Sequence, residues 1–234
     1  MLIVLDPGHS SIRPGAIGPG GTHEEDITLA VARQAAALLS SIAQVVLTRG
    51  DGSPLAKTEN EDLTARAKKA NDLNASCFVS IHCNSATDKE AHGTETYSLY
   101  PRSERGRELA QKIQLRLADT LKLADRGCKE ANFAVLRETR CPAALVEIAF
   151  ISNPAEEKLL RDFYFQSKAA FAIASGIADF LGVRLRDPES VLTVAASTPF
   201  EKLVKAAKFN SPHQPAEPVT LDMLAIVLER LGVI

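Results

Sequence analysis

Short apolar runs alternate with longer segments of helical periodicity through the first 181 residues of the chain. Residues 2–5 are four consecutive apolar residues, a pattern typical of a strand that is buried on both faces. Similar runs predict strands at 45–47, 77–82, 133–137 and 143–150, and strict alternation predicts a half-exposed strand near a sheet edge at 93–100. Apolar residues at helical spacing predict helices at 22–42, 63–73, 103–123 and 163–181, and one that starts at Pro154.

Because strands and helices alternate, the pattern predicts an α/β fold with a largely parallel central sheet and helices on both faces. Thr22 and Glu25 are expected to form a capping box at the start of the first helix. Residues 126–129 are expected to form a turn and loop.

The composition and the pattern of apolar residues change after Gly182. Five prolines interrupt this part, and two short amphipathic helices are predicted in it, near 200–208 and 221–231. We therefore divide the chain into a main domain, residues 1–181, and a small helical C-terminal appendage, residues 182–234.

Composition narrows the classes of function. With 234 residues, 45% of them hydrophobic, the chain can build one sizeable core, and a net charge of −2 gives no basic excess for nucleic acid. No apolar run is long enough to span a bilayer, and Met1 leads directly into the first strand, so no signal peptide is expected in this chain.

The four cysteines form no CxxC pair and are expected to be reduced. Cys83, beside His82, is an alternative nucleophile, but it lacks a clear supporting base–acid pair.

Four residues carry candidate chemistry: His9, Glu24, His82 and Glu147. His9 follows the first strand and His82 ends the third, so both are expected at the carboxyl edge of the sheet, where open α/β sheets bind ligands. Glu24 starts a helix next to that edge, and Glu147 interrupts an apolar strand, where an unpaired carboxylate is costly. Two imidazoles and a carboxylate are a common set of catalytic zinc ligands, with a fourth position for water.

Each of these residues also has a purely structural interpretation. The two histidines could be loop residues bonded to the backbone, and Glu24 could offset the positive end of the helix dipole. Glu147 could pair with an arginine, such as Arg49 or Arg137. Placement of all four at one sheet edge favours a functional site. His23, His92 and His213 do not have that placement and are not assigned to the site.

Seven motifs occur in the order found in one known family. They are VLDPGH (4–9), GTHE (21–24), LTR (47–49), SIHCN (80–84), GTE (93–95), VLR (135–137) and LVEIAFISN (145–153). Over residues 2–181 the chain resembles the zinc-dependent N-acetylmuramoyl-L-alanine amidases, the cell-wall amidases called amidase type 3. Ala149 stands where that family usually has glycine, a change that does not touch the expected chemistry.

The resemblance implies that His9, Glu24 and His82 bind Zn²⁺ and that Glu147 is the catalytic acid/base. The implied reaction is hydrolysis of the amide between N-acetylmuramic acid and L-alanine of the peptidoglycan stem peptide, by water that zinc activates. Asn84 and Arg137 are weaker candidates for contacts with the substrate.

Several alternatives remain open from sequence. The chain could be another zinc amidohydrolase or peptidase, or an inactive wall-binding protein. It is expected to act at the bacterial cell wall, either as a phage lysin (endolysin) released by lysis or as a trimmed autolysin or sporulation enzyme. The appendage could bind wall, form a homo-oligomer or pack on the domain. Some members of the resembled family carry a helical insert after the strand that matches residues 93–100, and this insert covers the zinc until an activator protein removes it. Here the segment after Tyr100 is too short for such a helix, so no activator protein is expected.

Overall fold

The computed structural model describes residues 1–101 and 103–185. The strands are β1 Leu2–Pro7, β2 Gln44–Leu47, β3 Cys77–Asn84, β4 Thr94–Leu99, β5 Asp125–Ala131 and β6 Ala143–Phe150. The helices are α1 Glu24–Leu39, α2 Glu59–Asp72, α3 Glu104–Leu121, α4 Ala134–Glu138, α5 Pro154–Leu160 and α6 Phe163–Leu181. The two helices predicted at 200–208 and 221–231 lie outside the described residues.

The six strands form one sheet in the order β2-β1-β3-β6-β4-β5. The pairs β2–β1, β1–β3, β3–β6 and β4–β5 are parallel, whereas β4 runs antiparallel to β6. The prediction of a largely parallel sheet is therefore confirmed. Its carboxyl ends bring the residues that follow β1 and β3 to the same edge.

Helices cover the sheet in two layers. Helices α2 and α4 pack on one face through a cluster that includes Ala70, Leu136 and Phe78. Helix α6 packs against both α1 and α3, and α1 and α3 also contact strands. Residues 3–5 of β1 are fully buried, as expected for a strand that is covered on both faces.

Two local predictions were wrong. The segment predicted as a strand at 133–137 is helix α4, because Ala134, Leu136, Arg137 and Glu138 favour helix and its buried residues fill the space beside α2. The segment predicted as a loop at 126–129 belongs to strand β5. It lies at the sheet edge with its residues mostly exposed or half-buried, so it lacks an apolar pattern.

Strand β4 and two helix starts also differ from expectation. β4 lies between β6 and β5 and is mostly buried, because its polar side chains find partners inside the protein; Thr96, for example, donates to Gln114. Helix α1 has His23 at its N-cap without a side-chain hydrogen bond, so the expected capping box is absent there. Helix α2 begins earlier than predicted, with a capping box formed by Thr58 and Glu61.

Gly176 lets α6 approach α3 closely, and this generates a prediction about stability. A Cβ at Gly176 would lie 2.5 Å from the Cα of Ile113 and 2.9 Å from the carbonyl oxygen of Lys112. Because both contacts are with backbone, Gly176→Ala should destabilise the protein by roughly 1–3 kcal/mol in chemical unfolding. Ser175→Ala, at the preceding half-buried position, is the control and should change stability by less than about 0.5 kcal/mol. Equal stability of the two variants would contradict this account of the packing.

Candidate metal and catalytic site

The first histidine of the site lies in a tight turn at the end of β1. His9 has φ +64°, a left-handed conformation that is uncommon for a residue with a side chain. The preceding Gly8 donates its N–H to the carbonyl of Ile81 and passes directly over the ring of His82. A Cβ at Gly8 would lie 2.3 Å from Cε1 of that ring, so only glycine allows the turn to approach β3 so closely.

Glu24 is the first residue of α1 and is buried. Two backbone N–H groups orient its carboxylate: Cys83 donates to Oε1 at 3.0 Å, and Ala16 donates to Oε2 at 2.9 Å. The positive end of the helix dipole also favours a charged carboxylate at this position. Burial alone raises the pKa of Glu24, but the contacts with His82 and His9 outweigh that effect and hold the pKa well below its usual range.

The three side chains place one donor atom each around a common point. His82 Nδ1 lies 3.0 Å from Glu24 Oε1, and His9 Nε2 lies 3.1 Å from Glu24 Oε2. The two ring nitrogens are 3.2 Å apart. A tetrahedral ion with bonds of about 2.0 Å holds its ligand atoms about 3.3 Å apart, so these separations fit a metal ion. Two imidazoles and a carboxylate are also a suitable donor set, because each can present a lone pair.

Glu147 lies beside this group on the neighbouring strand. It is the register partner of His82 in the β3–β6 pair. Its Oε2 is buried and finds no hydrogen-bond partner among the residues that the structure describes. Burial, and then the nearby carboxylates of Glu24 and Glu95, raise the pKa of Glu147 well above its usual value. An unpartnered buried carboxyl group is costly for folding and is therefore a candidate for function.

The arginines that could have neutralised Glu147 bind elsewhere. Arg49 donates to the backbone carbonyls of Pro7, Gly8 and Glu25. Arg137 is exposed and donates to Asn132. The contacts of these two arginines therefore do not support the purely structural interpretation of Glu147.

A cavity of about 360 Å³ opens beside the donor group, and His9, His82 and Glu147 line part of it. Its lining includes apolar residues of α2, of β6 and of the start of α4, which are Leu63, Phe133, Ala134, Val135 and Leu145. It also includes charged residues, which are Arg13, Glu59, Asp62 and Arg66. The cavity can therefore accept a ligand that has both apolar and polar groups.

The two weaker candidates for substrate contact do not line this cavity. The Asn84 amide donates to Glu95 Oε1 at 2.7 Å, and Arg137 lies against its own helix end, 3.6 Å from Glu138. A contact of Asn84 or Arg137 with substrate remains a prediction.

Glu95 is a charged residue near the site to which the sequence assigned no role. It is the register partner of Glu147 across the β4–β6 pair and is buried. Burial alone raises its pKa, but hydrogen bonds from Lys129, Arg126 and Tyr97 outweigh this and lower the pKa of Glu95 to about 2. Glu95 is part of the GTE motif, so the sequence did contain a signal for this residue. The cations that neutralise it, Arg126 and Lys129, come from β5, which was expected to be a loop.

The remaining candidates take other roles. Cys83 is a free, buried thiol whose pKa burial raises well above its usual value, which disfavours a nucleophilic role. Donor atoms of His23, Glu25 and Asp26 form a second group that could hold a metal ion. In that group, however, Glu25 Oε2 also lies 3.9 Å from Arg49 Nη1. His92 is exposed and contacts the Glu90 carbonyl, and His213 lies outside the described residues.

An N,N,O donor group at one edge of an α/β sheet, beside a carboxyl group whose Oε2 lacks a partner among the described residues, is typical of metal-dependent hydrolases. Comparison with known proteins agrees. The model of the Amidase_3 family, N-acetylmuramoyl-L-alanine amidase, matches residues 3–179. The chain belongs to this family, a metal-dependent family of enzymes that act on peptidoglycan of the bacterial cell wall.

Individual relatives support the assignment. The chain is 38% identical over 181 residues to the uncharacterized protein YqiI of Bacillus subtilis, covering 76% of this chain and 84% of that protein. It is 32% identical to the N-acetylmuramoyl-L-alanine amidase AmiC of Neisseria meningitidis, with 77% of this chain and 52% of that protein covered. The chain thus spans about half the length of the latter relative.

Solved structures share the fold. The catalytic domain of CwlV, an N-acetylmuramoyl-L-alanine amidase from Bacillus (Paenibacillus) polymyxa, superimposes with a TM-score of 0.72 at 36% identity, covering 78% of this chain and 99% of that one. The CwlD amidase from Clostridioides difficile, in complex with the GerS lipoprotein, has a TM-score of 0.74 at 36% identity, covering 78% of this chain and 99% of that one. In the described part of the chain, no helix has the length and apolar character needed to cross a membrane.

Gly15 generates a prediction about metal binding. It has φ +75°, and a Cβ there would lie 2.4 Å from Glu24 Oε2 and 2.6 Å from His9 Cδ2. Gly15→Ala should therefore displace two candidate donor side chains and weaken metal binding by roughly 10-fold or more, measured by chelator competition. Gly21→Ala is a matched control, because Gly21 has φ +85° in the same loop and nothing lies within 4 Å of its added Cβ. If both variants bound zinc equally, contact with the donor group would not be the cause.

Proposed function

We propose that this chain is a zinc-dependent N-acetylmuramoyl-L-alanine amidase in which His9, Glu24 and His82 hold the metal and Glu147 moves protons. The observation that carries the proposal is the convergence of three donor atoms beside Glu147, whose buried Oε2 has no hydrogen-bond partner among the described residues. The bond to be cleaved is the amide between the lactyl group of N-acetylmuramic acid and L-alanine of the stem peptide.

The donor set favours zinc. Two imidazole nitrogens and one carboxylate oxygen are ligands that zinc accepts, and three protein ligands leave a position for water or substrate. When bound, zinc supplies a Lewis acid that polarises the scissile carbonyl and increases the acidity of water. The charge of Glu24, held by its low pKa, contributes the anionic ligand.

Glu147 is the group that can take and return a proton. Its raised pKa makes the carboxylate a stronger base than an exposed glutamate, so it can accept a proton from the attacking water. The same carboxyl group can then donate that proton to the departing amine of L-alanine. Its position beside His82, a proposed metal ligand on the neighbouring strand, supports this role.

Substrate would enter through the cavity of about 360 Å³. The apolar residues of its lining can accept methyl groups of the lactyl and alanyl units, and the charged residues can contact the polar peptide or sugar. Asn84 and Arg137 lie outside that lining, so a contact with them would involve more distant parts of the glycan strand.

Product analysis on purified peptidoglycan is the experiment that tests the proposal. An amidase releases new L-alanine amino groups together with glycan that carries no peptide. Another zinc peptidase would release amino groups of other residues, and an inactive wall-binding protein would release none. Metal analysis of the same preparation should show one zinc per chain, and exhaustive chelation should abolish activity. Activity that survives chelation would exclude the proposed chemistry.

Glu147→Gln separates catalysis from metal binding. The substitution keeps the shape of the side chain and removes the proton acceptor, so kcat should fall by on the order of 100-fold or more. Zinc content should stay at the level of the unmodified protein. His82→Ala is the comparison variant and should lose zinc itself, because it removes a donor atom. Release of zinc from the Glu147→Gln protein would show that Glu147 is a ligand.

The domain division remains part of the proposal. The fold and the candidate site are complete within residues 1–181, and the first compact unit of the chain is Met1–Arg184. Residues 182–234 would then bind wall, mediate oligomerisation or pack on the catalytic domain. A phage lysin released by lysis is one setting, and an autolysin or a sporulation enzyme is the other.

We also propose that the site works without an activator. Only residues 100–103 connect β4 to α3, too few to form a helix over the cavity. The GerS lipoprotein accompanies the CwlD amidase in one related structure, so dependence on a partner is the specific alternative.

Kinetics on soluble muropeptide tests this independence. Full-length protein loaded with zinc should hydrolyse the substrate without a lag and without any added protein. A chain that ends at Arg184 should have a kcat within about threefold of the full-length value, because that terminus lies beyond the last described helix. A large rise in rate after truncation, with unchanged zinc content, would instead show that residues 185–234 inhibit the enzyme.

A further inference from the structure

The turn that carries His9 is held by two buried arginines. Three consecutive backbone carbonyls, those of Pro7, Gly8 and His9, each accept a hydrogen bond from Arg49 or Arg66. Both guanidinium groups are almost fully buried, at 3% exposure for Arg49 and 2% for Arg66. Burial of two like charges around one turn is costly, so the contacts that these arginines make call for an explanation.

Arg66 contacts the metal-ligand residue directly. Its Nη2 donates to the carbonyl oxygen of His9 at 2.6 Å, and its Nη1 donates to that of Pro7 at 2.7 Å. Two carboxylates hold the guanidinium in place: Asp6 Oδ1 accepts from Nη1 at 2.8 Å, and Asp62 Oδ2 accepts from Nε at 2.7 Å. Arg66 thus fixes the peptide group on the carboxyl side of a residue with positive φ.

Arg49 connects the same turn to the helix that carries Glu24. Its Nη2 lies 2.8 Å from the carbonyl oxygen of Gly8 and 2.9 Å from that of Glu25. Thr28 on α1 also donates its hydroxyl group to the Gly8 carbonyl, at 2.9 Å. One guanidinium nitrogen therefore bridges the residue before His9 and the residue after Glu24.

We propose that Arg66 is a positioning residue for metal binding: it holds His9 in its left-handed conformation, and Arg49 fixes the distance between His9 and Glu24. This inference rests on the proposed zinc site and deepens it. Neither arginine supplies a donor atom to the metal. Arg66 acts through the backbone of His9, and Arg49 acts through the backbone of Gly8 and Glu25, which adjoin the ligand residues. A small rotation of the turn would move His9 Nε2 away from its neighbours.

A lysine cannot replace either arginine in this role. The guanidinium group presents several N–H donors in one rigid plane, whereas an ammonium group is a compact charge on a flexible stem. At Arg66, contacts with Asp6, Asp62, Pro7 and His9 are made by one planar group. Lysine would retain the positive charge and lose part of this set, so Arg66→Lys tests geometry rather than charge.

The experiment measures the zinc Kd of full-length variants by competition with a chromogenic chelator. Arg66→Lys should weaken zinc binding by roughly 10- to 100-fold, the usual effect of losing a partner of a metal ligand. Arg49→Lys is measured in parallel, so the test does not depend on the folding of a single variant, and a loss of at least about 10-fold is expected there.

Thr48→Val is the matched control. Thr48 is buried in the same network, and its hydroxyl group donates to the Asp6 carboxylate rather than to a backbone carbonyl of the His9 turn. The control should lower the Tm and leave the zinc Kd within about threefold of the unmodified protein. Visible absorption of the Co²⁺-loaded proteins gives a second readout: the bands should shift in Arg66→Lys and stay in place in Thr48→Val.

Two results would overturn the inference. The first is a folded Arg66→Lys or Arg49→Lys protein that binds zinc within threefold of the unmodified protein. The second is a loss of zinc affinity in Thr48→Val as large as that in the arginine variants, since stability alone would then explain the effect. The proposed function fails differently, because zinc-loaded unmodified protein would then release no L-alanine amino groups from peptidoglycan.

Discussion

The buried interaction of Arg66 with Asp6 and Asp62 is the constraint on which the site depends. Asp6 is the carboxylate of β1, and it also accepts hydrogen bonds from Thr48, the residue that follows β2, and from Ser80 on β3. The end of β1 is thereby tied to both neighbouring strands and to α2. With the Arg66 guanidinium fixed between Asp6 and Asp62, the chain can hold His9 at positive φ, and the strained turn can present an imidazole to Glu24 and His82.

Three carboxylates lie close together at this edge, and each has different hydrogen-bond and charged partners. Glu24 is held by two backbone N–H groups and faces two imidazoles, which suits a metal ligand. Glu95 is neutralised by Arg126 and Lys129 from the edge strand. Glu147 lies between them and has no cationic partner among the described residues. The proposed roles of metal ligand for Glu24 and proton carrier for Glu147 rest on this difference in environment between chemically identical side chains.

The glycines close to the site explain how so many groups share a small volume. Gly8 allows the turn to pass over the His82 ring, and Gly15 allows the following loop to pass over Glu24 and His9. Glu157 of α5 holds that loop, because its carboxylate accepts hydrogen bonds from the N–H groups of Gly20 and Thr22. The donor group is therefore enclosed by backbone as well as by side chains, which limits how far its members can move.

The sequence by itself determined the α/β class, the main strands and long helices, and the four candidate residues. The apolar runs at β1, β3 and β6 are strong signals because strands covered on both faces need them. His9 and His82 were predicted to share an edge because parallel strands end on the same side. The ordered motifs also indicated the amidase family, and comparison confirmed it.

Only the tertiary structure decided what depends on contacts between distant segments. β5 has no apolar pattern because it is an edge strand, and α4 was mistaken for a strand because its few residues are too short to show a period. The contact of Arg66 with the His9 carbonyl joins residues 57 positions apart, and the cations around Glu95 come from another strand. Polar partners carry no periodic signal in sequence, so their pairing is visible only once the sheet has brought them together.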